Sequence, residues 1–179
     1  MIQMAHELIE RTYIYRGKVV DLSVSRFRSL AKGEVTLEIV HHNGGAAAIP
    51  LFEDGSIALV RQWRYPMGRY SLEIAAGRIE LGDTPEQTAA RELEEELGLR
   101  AANLRKLSEF NVAPGYCEER IHVYLATGLV NSIQRLDDDE EIESVRLPFV
   151  EALELVRRGE IDDAKSIVGL LTASSVIPG

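Results

Sequence analysis

The segment from Gly77 to Leu99, GRIELGDTPEQTAARELEEELGL, constrains this chain more than any other. Thr84 suits a helix N-cap, Pro85 the first helical position, and Gln87 the reciprocal capping position three residues on. Gly98 suits the left-handed residue that closes a helix. A helix is therefore predicted between Thr84 and Gly98. A turn of about 100° per residue places Glu92 and Glu96 on one side, flanked by Glu95. Leu93, Leu97, Ala89 and Ala90 fall on a second, apolar side that needs a core to dock on. Exposed carboxylates one turn apart repel by about 0.2–0.5 kcal/mol per pair. A hard divalent cation reverses that repulsion, because it takes oxygen ligands. A solvated acidic face is the plainer alternative. The lead-in through Gly77, Asp83 and Arg91 favours the metal.

The rest of the composition excludes several classes. The 179 residues carry a net charge of -9, with no basic stretch to neutralise a phosphate backbone, which argues against nucleic acid as a partner. An anionic substrate must be held by local arginines and metal rather than by the overall field. The single cysteine, Cys117, permits no internal disulfide and suggests no cysteine-based zinc site. The N-terminus lacks the order of a secretory signal and no apolar run is long enough to span a bilayer, so no membrane partner and a cytoplasmic address are expected.

Read in order, residues 1–11 suit a short helix or an arm. Strand-like runs follow at Thr12–Tyr15, Val19–Phe27 and Val35–His41. Within the second, Val20, Leu22 and Val24 alternate with Asp21, Ser23 and Ser25, as in a strand with one apolar face buried. Residues 1–43 form an N-terminal β segment with too few large apolar residues for its own core. It must pack on the rest of the chain or on another subunit. Residues 44–179 form the main domain, with strands at Ala46–Phe52, Ser56–Trp63, Tyr70–Ile74, Ala102–Asn111, Arg120–Leu125 and Val145–Pro148. Asp137–Glu143 reads as a solvated acidic loop, and Phe149–Arg158 and Asp162–Ala173 as helices. The order of elements predicts an α+β sandwich with a mixed sheet.

Gly77 to Leu99 resembles a Nudix box: Gly, five residues, an acid, seven residues, then Arg-Glu-apolar-x-Glu-Glu-x-Gly-apolar. One position departs, Asp83 standing where the pattern has Glu. The flanks are similar to the ADP-ribose pyrophosphatase branch of that family. Glu73-Ile74-Ala75-Ala76-Gly77 resembles its lead-in, with Ala75 where proline is common, and Pro114 stands fifteen positions past Leu99. The resemblance implies an α/β/α sandwich and a Mg²⁺-dependent hydrolase, with Mn²⁺ as a substitute, that splits ADP-ribose into AMP and ribose 5-phosphate. It implies metal ligation by the Ala76 carbonyl, Glu92 and Glu96, with Glu95 as a further ligand or a support.

Other positions acquire roles by the same resemblance. Arg91 orients the carboxylates, and Glu119 is the base delivered on a loop, with Glu118 as its alternative. Arg64 and Arg61 are candidates for the diphosphate, since guanidinium forks match phosphate oxygens. Glu73 either pairs with an arginine or meets substrate or metal. Tyr15 resembles an adenine-contacting aromatic. The N-terminal strands are expected to pair across a homodimer. Competing readings are another nucleoside diphosphate sugar such as GDP-mannose, a broad-range diphosphatase, and a nucleotide-sensing protein without turnover. His41 and His42 read as structural or solvent-facing, His122 as a packed or surface histidine, and Trp63 as a packing residue.

Overall fold

A computed structural model describes residues 6–136 and 141–177. Most of the expected acidic loop, residues 137–140, lies outside them, as do residues 1–5. The chain divides into two compact units: Met1–Gly44 with Asn111–Arg120, and Gly45–Phe110 with Ile121–Gly179.

The larger unit is built on strand β4 (Gly45–Pro50), which is buried along its whole length. Successive strand residues face opposite sides, and both sides of β4 are covered. Ala47 and Ile49 join Val123 and Leu125 of β9 (Arg120–Asn131) in one cluster. Phe149 and Ala152 of helix α2 (Phe149–Arg157) and Leu170 and Ala173 of α3 (Ala164–Ala173) complete it. Ala46 and Ala48 face the other way, with Tyr124 and Ala126, onto Ala89 and Leu93 of α1 (Pro85–Leu97). Alanine on that face lets the helix approach the sheet closely.

β4 pairs parallel with β9 and antiparallel with β7 (Ala75–Arg78), in a four-stranded sheet ordered β7-β4-β9-β8, where β8 is Leu99–Asn111. A second sheet runs β10-β5-β6, from Ile142–Pro148, Ser56–Arg64 and Arg69–Glu73. Mixed pairing with helices on two faces is the expected α+β sandwich. The short strand β7 has no counterpart in the sequence reading. Four residues, two of them alanine and one glycine, give too little alternation to register.

The smaller unit is an antiparallel sheet of β1 (His6–Arg16), β2 (Asp21–Ser29) and β3 (Gly33–His41). Residues 6–11 are therefore strand rather than helix. They pair with β2 from His6↔Ser29 onward, so tertiary pairing decides where the local pattern is mixed. The alternation in β2 also proves inverted. Ser23 and Ser25 are fully buried, while Leu22 and Val24 are only partly covered and Val20 is exposed. Small hydroxyls with internal hydrogen-bond partners are cheap to bury, so the polar face is free to turn inward. The segment Asn111–Arg120 joins this unit through Val40, whose N–H donates to the Tyr116 carbonyl at 2.8 Å.

Candidate active site

Helix α1 begins and ends as its sequence dictates. Thr84 Oγ1 accepts from the Gln87 N–H at 3.2 Å, and Gln87 Oε1 accepts from the Thr84 N–H at 2.8 Å. Gly98 closes the helix with φ 62° and donates its N–H to the Glu94 carbonyl at 2.9 Å. Its last free carbonyls are met by the strap that follows β9. Ser132 donates to the Gly98 carbonyl, the Gln134 side chain to that of Glu96, and the Arg135 N–H to that of Glu95.

The acidic side of α1 is turned against β7 rather than out to water. Glu96 is only 2% exposed, and its Oε2 accepts the Ala76 N–H at 2.9 Å. N–H and C=O of one strand residue point to the same edge, so the Ala76 carbonyl faces the same side. The Glu92 carboxylate packs so closely on Gly77 that a Cβ there would overlap it. This explains the glycine. The same rotation exposes Ala90, which the sequence reading placed on the apolar side. Helix burial follows the space that the sheet leaves, and β7 takes up the carboxylates.

Arg91 ties this face together. Its Nη1 lies 2.8 Å from Glu92 Oε1 and 2.7 Å from Glu95 Oε2. Burial works to lower the Arg91 pKa, but the charges of Glu92 and Glu95 and the Glu95 hydrogen bond carry it upward. Ala76, Gly77, Arg91, Glu92 and Glu95 line a cleft of about 160 Å³, with Arg78, Glu80 and Arg135 completing its wall. The last three escaped the sequence reading, because nothing local marks them. Asp83, where the box departs from its pattern, donates its N–H to the Glu80 carbonyl at 3.1 Å in the lead-in turn.

The donor set suits a hard cation. Two buried carboxylates one helical turn apart, beside a strand carbonyl, offer only oxygen. Among the described residues no three acidic or imidazole side chains converge on one point. A cation here would therefore need the carbonyl and water besides Glu92 and Glu96.

Glu73 and Arg64, adjacent to this region in sequence, meet each other. Arg64 donates through Nε to Glu73 Oε1 at 2.8 Å and through Nη2 to Oε2 at 2.5 Å. Lys165, at the start of α3, also pairs with Glu73. Burial would raise the Glu73 pKa, but the Arg64 hydrogen bonds and the Lys165 charge hold it down to about 2. Lys165 could not be foreseen, since 92 positions separate it from Glu73. Arg61 is held elsewhere: it pairs with Glu143 at 3.0 Å and lies over the Tyr70 ring. Trp63 packs edge-on against Tyr70.

The remaining candidates belong to the smaller unit. Tyr15 is exposed on β1 with its ring folded over Gly17. Glu118 and Glu119 lie in Asn111–Arg120: Glu118 meets His41 Nδ1 at 2.6 Å, and Glu119 lies 3.7 Å from His42 Nδ1.

Residues 41–168 match the NUDIX domain family model. The chain belongs to the NUDIX family. Among its relatives, the ADP-ribose pyrophosphatase of Bacillus subtilis (strain 168) is 39% identical, over 93% of this chain and 91% of its own length. The ADP-ribose pyrophosphatase of Mycobacterium tuberculosis (strain ATCC 25618 / H37Rv) is 35% identical, over 100% of this chain and 88% of its own. The NUDIX fold is seen again in a crystal structure of an ADP compounds hydrolase, with a TM-score of 0.86 over 97% of this chain and 94% of that one. At 19% identity, that likeness speaks for the fold alone. No helix among the described residues is long and apolar enough to cross a membrane.

Proposed function

We propose that this NUDIX hydrolase cleaves the diphosphate of ADP-ribose, releasing AMP and ribose 5-phosphate, with Mg²⁺ as its ion and Mn²⁺ as a substitute. The observation that carries this reading is the pair of buried carboxylates, Glu92 and Glu96, on a capped helix against the Ala76 backbone. The choice of ADP-ribose rests on the two bacterial relatives, which align over nearly the whole chain.

Glu92, Glu96 and the Ala76 carbonyl would hold the ion, with Glu95 as a further ligand. When bound, a divalent cation neutralises diphosphate charge and makes its bound water a stronger acid. Arg91 keeps Glu92 and Glu95 in place, as the partners of metal ligands do. Arg64 presents to the diphosphate the donors that Glu73 leaves free, and Glu73 thereby orients it. Arg61 has a weaker claim, because Glu143 and Tyr70 already engage it. Glu119 accepts the proton of the attacking water as a new P–O bond forms and the bridging P–O bond breaks. Tyr15 is the candidate for the adenine ring.

The same reading makes the protein a homodimer through its N-terminal strands. Ile14, Val19, Leu30 and Leu37 are exposed there, and they are apolar surface that a second copy can cover.

Phosphate-coupled turnover of ADP-ribose, GDP-mannose and dinucleotides with Mg²⁺ tests the reading. ADP-ribose is expected to lead, and Glu96→Gln to lower kcat by about a hundredfold or more. Equal rates on GDP-mannose would overturn the substrate. An unchanged Glu96→Gln rate would overturn the metal site, and no turnover of any substrate would favour a sensor.

A further inference from the structure

Several side chains of the smaller unit that the reaction above does not use stand in one line. Ser25 and Ser23, both fully buried, have hydroxyls 3.1 Å apart. Ser23 Oγ lies 2.8 Å from His41 Nε2, and His41 Nδ1 lies 2.6 Å from Glu118 Oε2. At the far end Arg11 Nε donates to Ser25 Oγ at 3.3 Å.

The two ends fix the direction of the outermost bonds. Arginine only donates, and an ionised carboxylate only accepts. His41 Nδ1 therefore donates to Glu118, and Ser23 and Ser25 stand in hydrogen-bond reach behind the other ring nitrogen. The atoms follow the order of a Ser–His–carboxylate triad. Yet Ser23 is fully buried, so no substrate can reach its hydroxyl, and the line ends instead on a carboxylate that is half exposed. It is a tether.

Its outer end lies on the segment that carries Glu119. Main-chain bonds tie this segment to the same strand, with the Val40 N–H donating to the Tyr116 carbonyl and the Glu118 N–H to the Val40 carbonyl at 3.0 Å. The neighbouring carboxylate is treated differently. His42 Nδ1 accepts the Gly44 N–H at 3.0 Å, so that nitrogen carries no proton to offer Glu119 across 3.7 Å. Of two adjacent carboxylates, that of Glu118 takes a ring hydrogen bond and that of Glu119 does not take one from His42.

We infer that His41 is a positioning residue for the reaction: backed by Ser23 and Ser25, it holds Glu118 and so fixes the loop on which Glu119 acts. The inference rests on Glu119 being the base, and it makes Glu118 the anchor. Misplacing a catalytic group by about an ångström costs up to about a hundredfold in rate.

The test is a kinetic cycle. His41→Phe keeps a ring and removes both hydrogen bonds, while Glu118→Ala removes the anchor at a half-exposed site that does not threaten the fold. Each is expected to lower kcat about tenfold or more with KM within about twofold. Glu118→Gln can still accept from Nδ1 and is expected to restore most of the rate. In a Glu119→Gln background, His41→Phe should cost nothing further, because a positioning residue has nothing left to position. Loss of the same factor in both backgrounds, an unchanged kcat in Glu118→Ala, or a hundredfold loss in Glu118→Gln would overturn the inference. If Glu119→Gln itself turns over like wild type, the assignment of the base fails instead.

Discussion

Strand β4 in the larger unit and strand β2 in the smaller one bury opposite kinds of residue. Along β4 both faces are apolar and both are covered, by α1 on one side and by α2 and α3 on the other. Along β2 the face that disappears is the hydroxyl face, and the aliphatic residues stay partly in solvent. A period of two tells which residues share a face, but not which face is inside. In β4 hydrophobic burial decides, at about 1.5–3 kcal/mol for each large side chain removed from water. In β2 the buried Ser23 and Ser25 cost little because each hydroxyl has a partner, while the aliphatic residues stay partly in solvent. The lesson is that a self-satisfied polar face can be buried while an apolar one stays partly in water.

That contrast can be broken at three points. The largest effect is expected at Ile49, which is fully buried on β4. Ile49→Ala should cost about 2–5 kcal/mol in urea unfolding. A cost under about 1 kcal/mol would mean that the sheet is not the centre of the fold.

The next concerns how each unit buries polar groups, by charge pairing in one and by neutral hydroxyls in the other. Glu73 is held to a pKa of about 2 against an ordinary 4.5. A depressed carboxylate stabilises the fold above its unfolded pKa, and that contribution fades as pH falls toward 2. Glu73→Gln should therefore destabilise by on the order of 2 kcal/mol at pH 7, with the gap from wild type closing between about pH 4.5 and pH 2. Chemical denaturation across that range measures it, and a pH-independent gap would mean that shape, not charge, is what Glu73 supplies.

The smallest is Val20→Ser, exposed beside the aliphatic face of β2, worth within about 0.5 kcal/mol to unfolding of a single subunit. Its effect should appear instead in sedimentation, as a weakened dimer. A clear loss of subunit stability would show that this face is covered within one chain.

The parts that sequence made legible are those where local chemistry and tertiary demand agree. Thr84, Gln87 and Gly98 announce α1, and the structure has the helix with both caps. The spacing of Glu92 and Glu96 marked a shared face, and both are brought against β7. What stayed hidden depends on partners far along the chain. Nothing near Glu73 points to Lys165, nothing near Ser23 points to His41, and nothing near Gly77 marks Arg135 as a wall of the same cleft. Paired histidines at 41 and 42 read as structural or solvent-facing, and the sequence held no sign that one would reach a loop 77 positions away.

The strap from Ser132 to Arg135 carries a consequence for how the molecule assembles. The carbonyls of Glu95, Glu96 and Gly98 find partners in chain that comes after β8 and β9. The end of α1 is thus closed by long-range contacts whose loop must first be brought round, a cost in entropy that local helix formation does not carry. The first turn of the helix can form on its own caps at once. Its last turn, with Glu95 and Glu96, is completed by the strap, so the finished end of this helix depends on chain nearly forty residues further on.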